Sequence, residues 1–320
     1  MLRVVIASGV VTFDPAAAYP EVAALQAALT ARDWAVCRQV LDSAEPAART
    51  DLVLICAEQP GLEEFLREAW QRDPADTAAA AMLGSFLTQD GWRVRTTSAA
   101  ADVSRQQWEI FHERLRQAER VLVRAAARNP YDPAVWVCRM TTSRGLGLSL
   151  PETRRRYDRL SAAHPHHLPG QLSLVQQLCP KWGGDWAQLH QFARESMQAA
   201  PLGTHNAVVV VAAHLEQWLA GLDNTIGRGP GHLPAVAGEI YEAAQRSVWH
   251  PEFRRGFGWV RVMSTFAMAF SLLGDDRAAG SMFAALGPFA SERPWSDLGS
   301  PARVIRGRRE AGLRAVGAIR

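Results

Sequence analysis

The chain has 320 residues, nearly half of them hydrophobic, and a formal charge of +3, so it carries no strong global field toward nucleic acid or a membrane surface. It is long enough to bury most of its apolar surface, which excludes a disordered body. The apolar start from Leu2 to Val11 is too short to span a bilayer and nothing later is apolar for long enough to cross one, so a cytoplasmic protein with no membrane partner is expected.

Taken in chain order, only the first ten residues could form a strand; helix is expected nearly throughout the rest. Val22, Leu25, Ala28 and Leu29 suit a first helix, and Trp34, Cys37, Val40 and Leu41 a second, with Asp33 as its N-cap. The next pair runs from about Pro46 to Glu58 and from Gly61 to Gln71. A third uses Ala75 to Leu87 and Val103 to Arg128, and a fourth Pro133 to Ser143 and Pro151 to Ala163. The fifth uses Leu168 to Leu178 and Asp185 to Ala199, and the sixth Thr204 to Ala220 and Leu233 to Val248. A seventh joins Phe253 to Leu273 with Asp276 to Leu286. Residues 1–19 are a lead-in, 20–286 a helical-repeat domain, and 287–320 a capping segment or basic tail.

The repeat reading rests on recurring helix ends. Asp73-Pro74, Asn129-Pro130, His164-Pro165, Ala200-Pro201 and His250-Pro251 each close an alanine-rich helical stretch, and the middle three lie 35 and 36 residues apart. Proline disfavours helix in the residue before it and so stops the second helix of a pair. In the seventh unit, Ala267-x-x-Phe270, the turn glycine Gly274 and Ala279-x-x-x-Phe283 set small residues and aromatics at fixed offsets across a tight turn. At these residues the chain resembles the tetratricopeptide family, while Pro180-Lys-Trp-Gly-Gly-Asp-Trp186 and Leu286-Gly-Pro with Pro294-Trp295 look like uncharacterised bacterial helical-repeat proteins. The tetratricopeptide resemblance implies an all-α, right-handed α-solenoid of about seven antiparallel helix pairs.

A solenoid of this kind implies a non-catalytic scaffold that holds a protein or peptide in its concave groove. The groove would be lined by Gln171, Leu174, Arg261, Ser264 and Met268. Three insertions, at Gln89 to Asp102, Arg144 to Leu150 and Gly221 to His232, fall between the helices of a pair and would crowd one rim. Trp92, Arg93, Arg95 and Arg228 are the rim candidates, because tryptophan and arginine favour binding hot spots.

No cofactor, metal ligand set or catalytic residue is expected. Cys37, Cys56, Cys138 and Cys179 lack metal-ligand spacing and read as buried thiols. Gly227-Arg-Gly229-Pro-Gly231 lacks the strand and Lys-Ser/Thr of a phosphate loop and reads as a flexible insertion. Asp275-Asp276 stands where a helix starts and reads as a cap. The competing class is an enzyme or a small-ligand or metal-binding protein with a histidine-containing pocket at His164, His166 and His167. Arg303, Arg306, Arg308, Arg309, Arg314 and Arg320 leave room for weak nucleic-acid contact through the tail.

Overall fold

The protein is described by a computed structural model covering residues 3–6, 9–96, 98, 100–222 and 232–319, with backbone alone at 3–6, 9 and 10. Strand β1 (Arg3–Ile6) pairs antiparallel with β2 (Gly9–Thr12), and Arg3 lies opposite Thr12. All remaining regular structure among the described residues is helical. The chain divides into two compact units, Glu21–Gly184 and Met1–Pro20 with Asp185–Arg320. The expected partition at 1–19, 20–286 and 287–320 is therefore replaced. The lead-in and the tail both belong to the unit that starts again at Asp185.

Helix α1 (Pro15–Ala18) follows the hairpin. The Glu21–Gly184 unit is made of α2 (Pro20–Thr30), α3 (Trp34–Ser43), α4 (Pro46–Cys56), α5 (Glu63–Arg72), α6 (Thr77–Arg95), α7 (Arg105–Arg128), α8 (Pro133–Gly145), α9 (Leu150–Ala163) and α10 (Leu168–Leu178). Short polar side chains start these helices by accepting from exposed backbone N–H groups. Asp33 caps α3, Asp76 caps α6 and Asp132 caps α8. Proline opens α4, α8, α9 and α10, where its missing N–H costs nothing.

Helix α6 is buried from Thr77 to Thr88 on every side, so it is the unit's central helix. Helix α3 packs on α4, consecutive helices from α5 to α10 pack on one another, and α4 also packs on α6, α8 and α10. Arg49 of α4 donates to Asp132, the cap of α8, at 2.9 Å. The same carboxylate accepts from Thr77 Oγ1 at 2.6 Å. The first insertion is not a loop throughout: α6 continues through Gln89 to Arg95 and stops at Thr96, whose φ of 65° ends the helix.

The other unit contains α11 (Trp186–Ala199), α12 (Val208–Leu222), α13 (His232–Ala235), α14 (Ala237–Arg246), α15 (Trp259–Leu273), α16 (Asp276–Leu286) and α17 (Pro301–Ala315). Helix α12 packs on α11, α13, α14 and α15, and its start is a buried run of four valines, Val208–Val211. The seventh pair packs as its sequence pattern demands. Ala267, Phe270, Ala279 and Phe283 are fully buried, and Gly274 takes the left-handed turn at φ 75°. Asp275 caps α16 through Ala278 N at 2.9 Å and accepts from Tyr241 Oη at 2.5 Å.

The N-terminal segment is stitched into this unit. Thr12 N donates to the Pro288 carbonyl at 2.8 Å, and Ala290 N returns a bond to the Thr12 carbonyl at 3.0 Å. Tyr19 stacks on Phe257 at 4.4 Å and accepts from Val260 N. The arginine-rich tail is a helix packed against α16. Arg309 is buried and donates to the Phe283 and Gly287 carbonyls, capping the end of α16. No helix among the described residues is long and apolar enough to cross a membrane.

Candidate metal centre

Helices α11 and α12 are joined through a turn around Leu202, and His190 and His214 each lie twelve residues from it. Antiparallel pairing therefore brings the two side chains level. Their rings stack with centroids 4.4 Å apart. His232, the first residue of α13, brings a third imidazole, 5.9 Å from His190 and 5.2 Å from His214. One ligand atom from each histidine lies within 4.8 Å of the other two. No other group of three or more His, Cys, Asp or Glu among the described residues has that geometry.

The hydrogen bonds around the cluster decide which nitrogens face inward. Gln217 Oε1 accepts from His190 Nε2–H at 2.5 Å. Glu239 Oε2 accepts from His214 Nε2–H at 3.2 Å. Each bond fixes the proton on Nε2 and leaves Nδ1 with its lone pair. His190 Nδ1 is buried with no hydrogen-bond partner, an arrangement that costs about 1–3 kcal/mol unless something binds there. His214 Nδ1 lies 3.2 Å from His232 Nε2. Two nitrogens on a tetrahedral zinc, each ~2.0–2.1 Å from the ion, stand ~3.3 Å apart. A histidine held by a carboxylate on its outer nitrogen is the usual second layer of such sites.

Electrostatics favour neutral imidazoles here. Burial, and then the neighbouring His190, push His214 down to about 4. His190 is lowered as well, chiefly by burial. Burial would raise Glu239, but hydrogen bonds from Arg194 and His214 outweigh it and hold the carboxyl below its usual range. Arg194, one turn beyond His190 on α11, grips both carboxylate oxygens at 2.9 and 3.1 Å. His190 and His214 are thus deprotonated at neutral pH, as metal binding requires.

The rings of His164 and His167 come within 6.0 Å, but His164, His166 and His167 do not bring three ligand atoms together. His164 Nε2–H donates to the Tyr131 carbonyl at 3.0 Å. His167 faces inward instead and caps α10, its Nδ1 accepting from Gly170 N at 3.2 Å while its Nε2 meets Thr50 Oγ1 at 3.0 Å. His166 is exposed. This segment is a helix connection of the same kind as Asp73-Pro-Ala-Asp76 and Asn129-Pro-Tyr-Asp132, in which the fourth residue caps the next helix.

The expected groove residues are corrected in the same way. Gln171, Leu174, Ser264 and Met268 are buried at 2%, 0%, 0% and 0% exposure, so they cannot line an open surface. Gln171 and Leu174 lie on α10, which packs against α4, α8 and α9. Ser264 Oγ accepts from Ser291 N, in the segment after α16. Arg261 alone is exposed.

At the expected rim, Trp92 packs edge-on against Phe111 and Trp182, and Arg95 lies over Trp92 and Trp108. Arg93 is exposed and pairs with Asp90 at 2.9 Å. Arg228 and the glycine run around it lie outside the described residues. All four cysteines are buried and none is in a disulfide; burial raises Cys37 to about 11 and Cys56 and Cys138 to about 12, which keeps them protonated.

Sequence reasoning missed the three clustered histidines because they sit on three helices with no short spacing. The equal distance of His190 and His214 from the Leu202 turn was the available signal. Comparison of the chain with protein-family models, with curated proteins and with solved structures finds no match.

Proposed function

We propose that the protein binds a divalent transition metal, zinc foremost, through His190, His214 and His232. The observation that carries this reading is the buried, unpartnered His190 Nδ1 beside two further imidazole nitrogens, with Gln217 and Glu239 holding the outer nitrogens. Three imidazoles suit zinc, copper, nickel or iron, and hard-cation ligands such as calcium's oxygens are not the donors. Glu239 is the orienting carboxylate, and Arg194 orients it in turn.

Elemental analysis and zinc titration calorimetry of the purified chain test this. One equivalent of zinc is expected, lost in His214→Ala and in His232→Ala. His164→Ala and His166→Ala should retain it, which separates this centre from the pocket expected at Pro165. Zinc retained by the His214 and His232 variants would refute the reading.

A protein- or peptide-binding scaffold draws less support, since most of its groove candidates are buried and Trp92 and Arg95 are engaged within their own unit. The tetratricopeptide-like reading is kept for the seventh pair, where the Ala267, Phe270, Ala279 and Phe283 packing supports it.

A further inference from the structure

Resting on that reading, we propose that the metal at His190, His214 and His232 keeps one coordination position for an exogenous small anion or water, so that the centre is an open site and not a structural one. Structural zinc takes four protein ligands, whereas open sites take three and leave the fourth position to solvent or substrate. The described residues offer three.

Among the described residues, the two polar side chains bonded to the cluster are already committed. Both oxygens of Glu239 are held by Arg194, at 2.9 and 3.1 Å, and Oε2 also takes the His214 proton. Moving this carboxylate onto the metal would break a bidentate ion pair and release the proton of His214 Nε2. The amide oxygen of Gln217 is engaged by His190.

Charge selects the class of ligand. Three neutral imidazoles leave the ion's two positive charges uncompensated by the ligands themselves, and the carboxylate bonded to His214, Glu239, is offset by Arg194. In surroundings less polarisable than water, a small anion offsets that charge better than a neutral donor does. Access exists at one edge, because His232 is only partly buried and the Glu239 side chain is 32% exposed. The ligand class is therefore a monodentate anion of hydroxide, azide or carboxylate type.

Cobalt(II) in place of zinc reports the coordination directly through its visible absorption. The full-length chain is loaded with Co2+ and titrated with azide. The visible bands should shift and the change should saturate at one azide per cobalt. His232→Ala, at the partly exposed edge, should hold no cobalt and give no shift. A spectrum unchanged at saturating azide, on protein that holds one Co2+, overturns the open position and leaves the metal reading intact. Failure of the wild-type chain to hold either Co2+ or Zn2+ overturns both.

Discussion

His167 carries out in the Glu21–Gly184 unit what Asp76 and Asp132 do in the same unit, but with a titratable base. Its Nδ1 accepts from Gly170 N, so the cap exists only while the ring is neutral. Burial pushes this histidine from an ordinary 6.5 down to about 4. The sign follows: the unfolded ring takes a proton first, so the contribution is complete above pH 6.5 and is lost as pH falls toward 4. The loss is on the order of 3 kcal/mol. Hydrogen-exchange protection of the α4 and α10 amides should therefore fall over this window. His167→Asn, which caps without a titrating ring, should flatten the fall when compared with wild type at each pH. Equal pH dependence in both proteins would remove His167 as the cause. At the proposed metal centre, Glu239→Gln keeps an oxygen acceptor for His214 but loses the negative charge and the Arg194 pair. Zinc affinity by calorimetry should drop about 10–100-fold, the usual effect of losing an orienting carboxylate. An unchanged affinity would mean that Glu239 does not act through His214.

At the scale of elements, the contact between α16 and α17 sets two glycines against each other. A Cβ on Gly280 would stand 2.1 Å from the Gly312 carbonyl oxygen, and one on Gly312 would stand 2.9 Å from Gly280 N. The obstacle is backbone, which cannot rotate aside. Glycine to alanine inside a helix normally gains about 0.5–1 kcal/mol. Gly280→Ala should instead lose on the order of 1–3 kcal/mol, as overpacking does. Gly307→Ala on the same α17 meets nothing within 4 Å and should show the ordinary gain. Thermal unfolding midpoints that move in opposite directions for the two variants would establish the close approach; movement in the same direction would dismiss it. These elements were largely legible beforehand because their ends are local chemistry. Asp33, Asp76, Asp132, Asp185 and Asp275 cap helices, and proline opens others. Legibility failed where the decision was long-range. Gln89 to Arg95 includes Gly91, which weakens a helix, and still continues α6, because that glycine is where Leu115 of α7 packs close. Gln171 and Leu174 lie on α10, which packs against α4, α8 and α9, and α4 lies more than a hundred residues earlier. The histidine cluster likewise depends on how three helices of one unit meet.

For the whole molecule, the division into two units gives the metal a local domain of influence. All three candidate ligands, with Gln217, Glu239 and Arg194, belong to the unit of Met1–Pro20 and Asp185–Arg320. The ligands sit on α11, α12 and α13, so a bound ion ties three helices directly and reaches α14 through the Glu239 bond to His214. A ligand that binds only the folded form stabilises it by about 2.7 kcal/mol at a free concentration 100 times its Kd. That free energy enters only those opening reactions that break the site. Hydrogen exchange of the full chain, with zinc and after chelation, should therefore slow in α11, α12 and α14, while the α6 and α8 amides of the Glu21–Gly184 unit should exchange as before. The same experiment on His232→Ala should lose the difference, because removing one of three imidazoles leaves too few donors for tight binding. Slowing spread equally over both units would mean that they open as one cooperative body, and a zinc effect confined to α9 and α10 would move the metal to the His164–His167 connection. Only protection limited to the unit of Asp185–Arg320 agrees with a centre built from the level pair His190 and His214 and completed by His232.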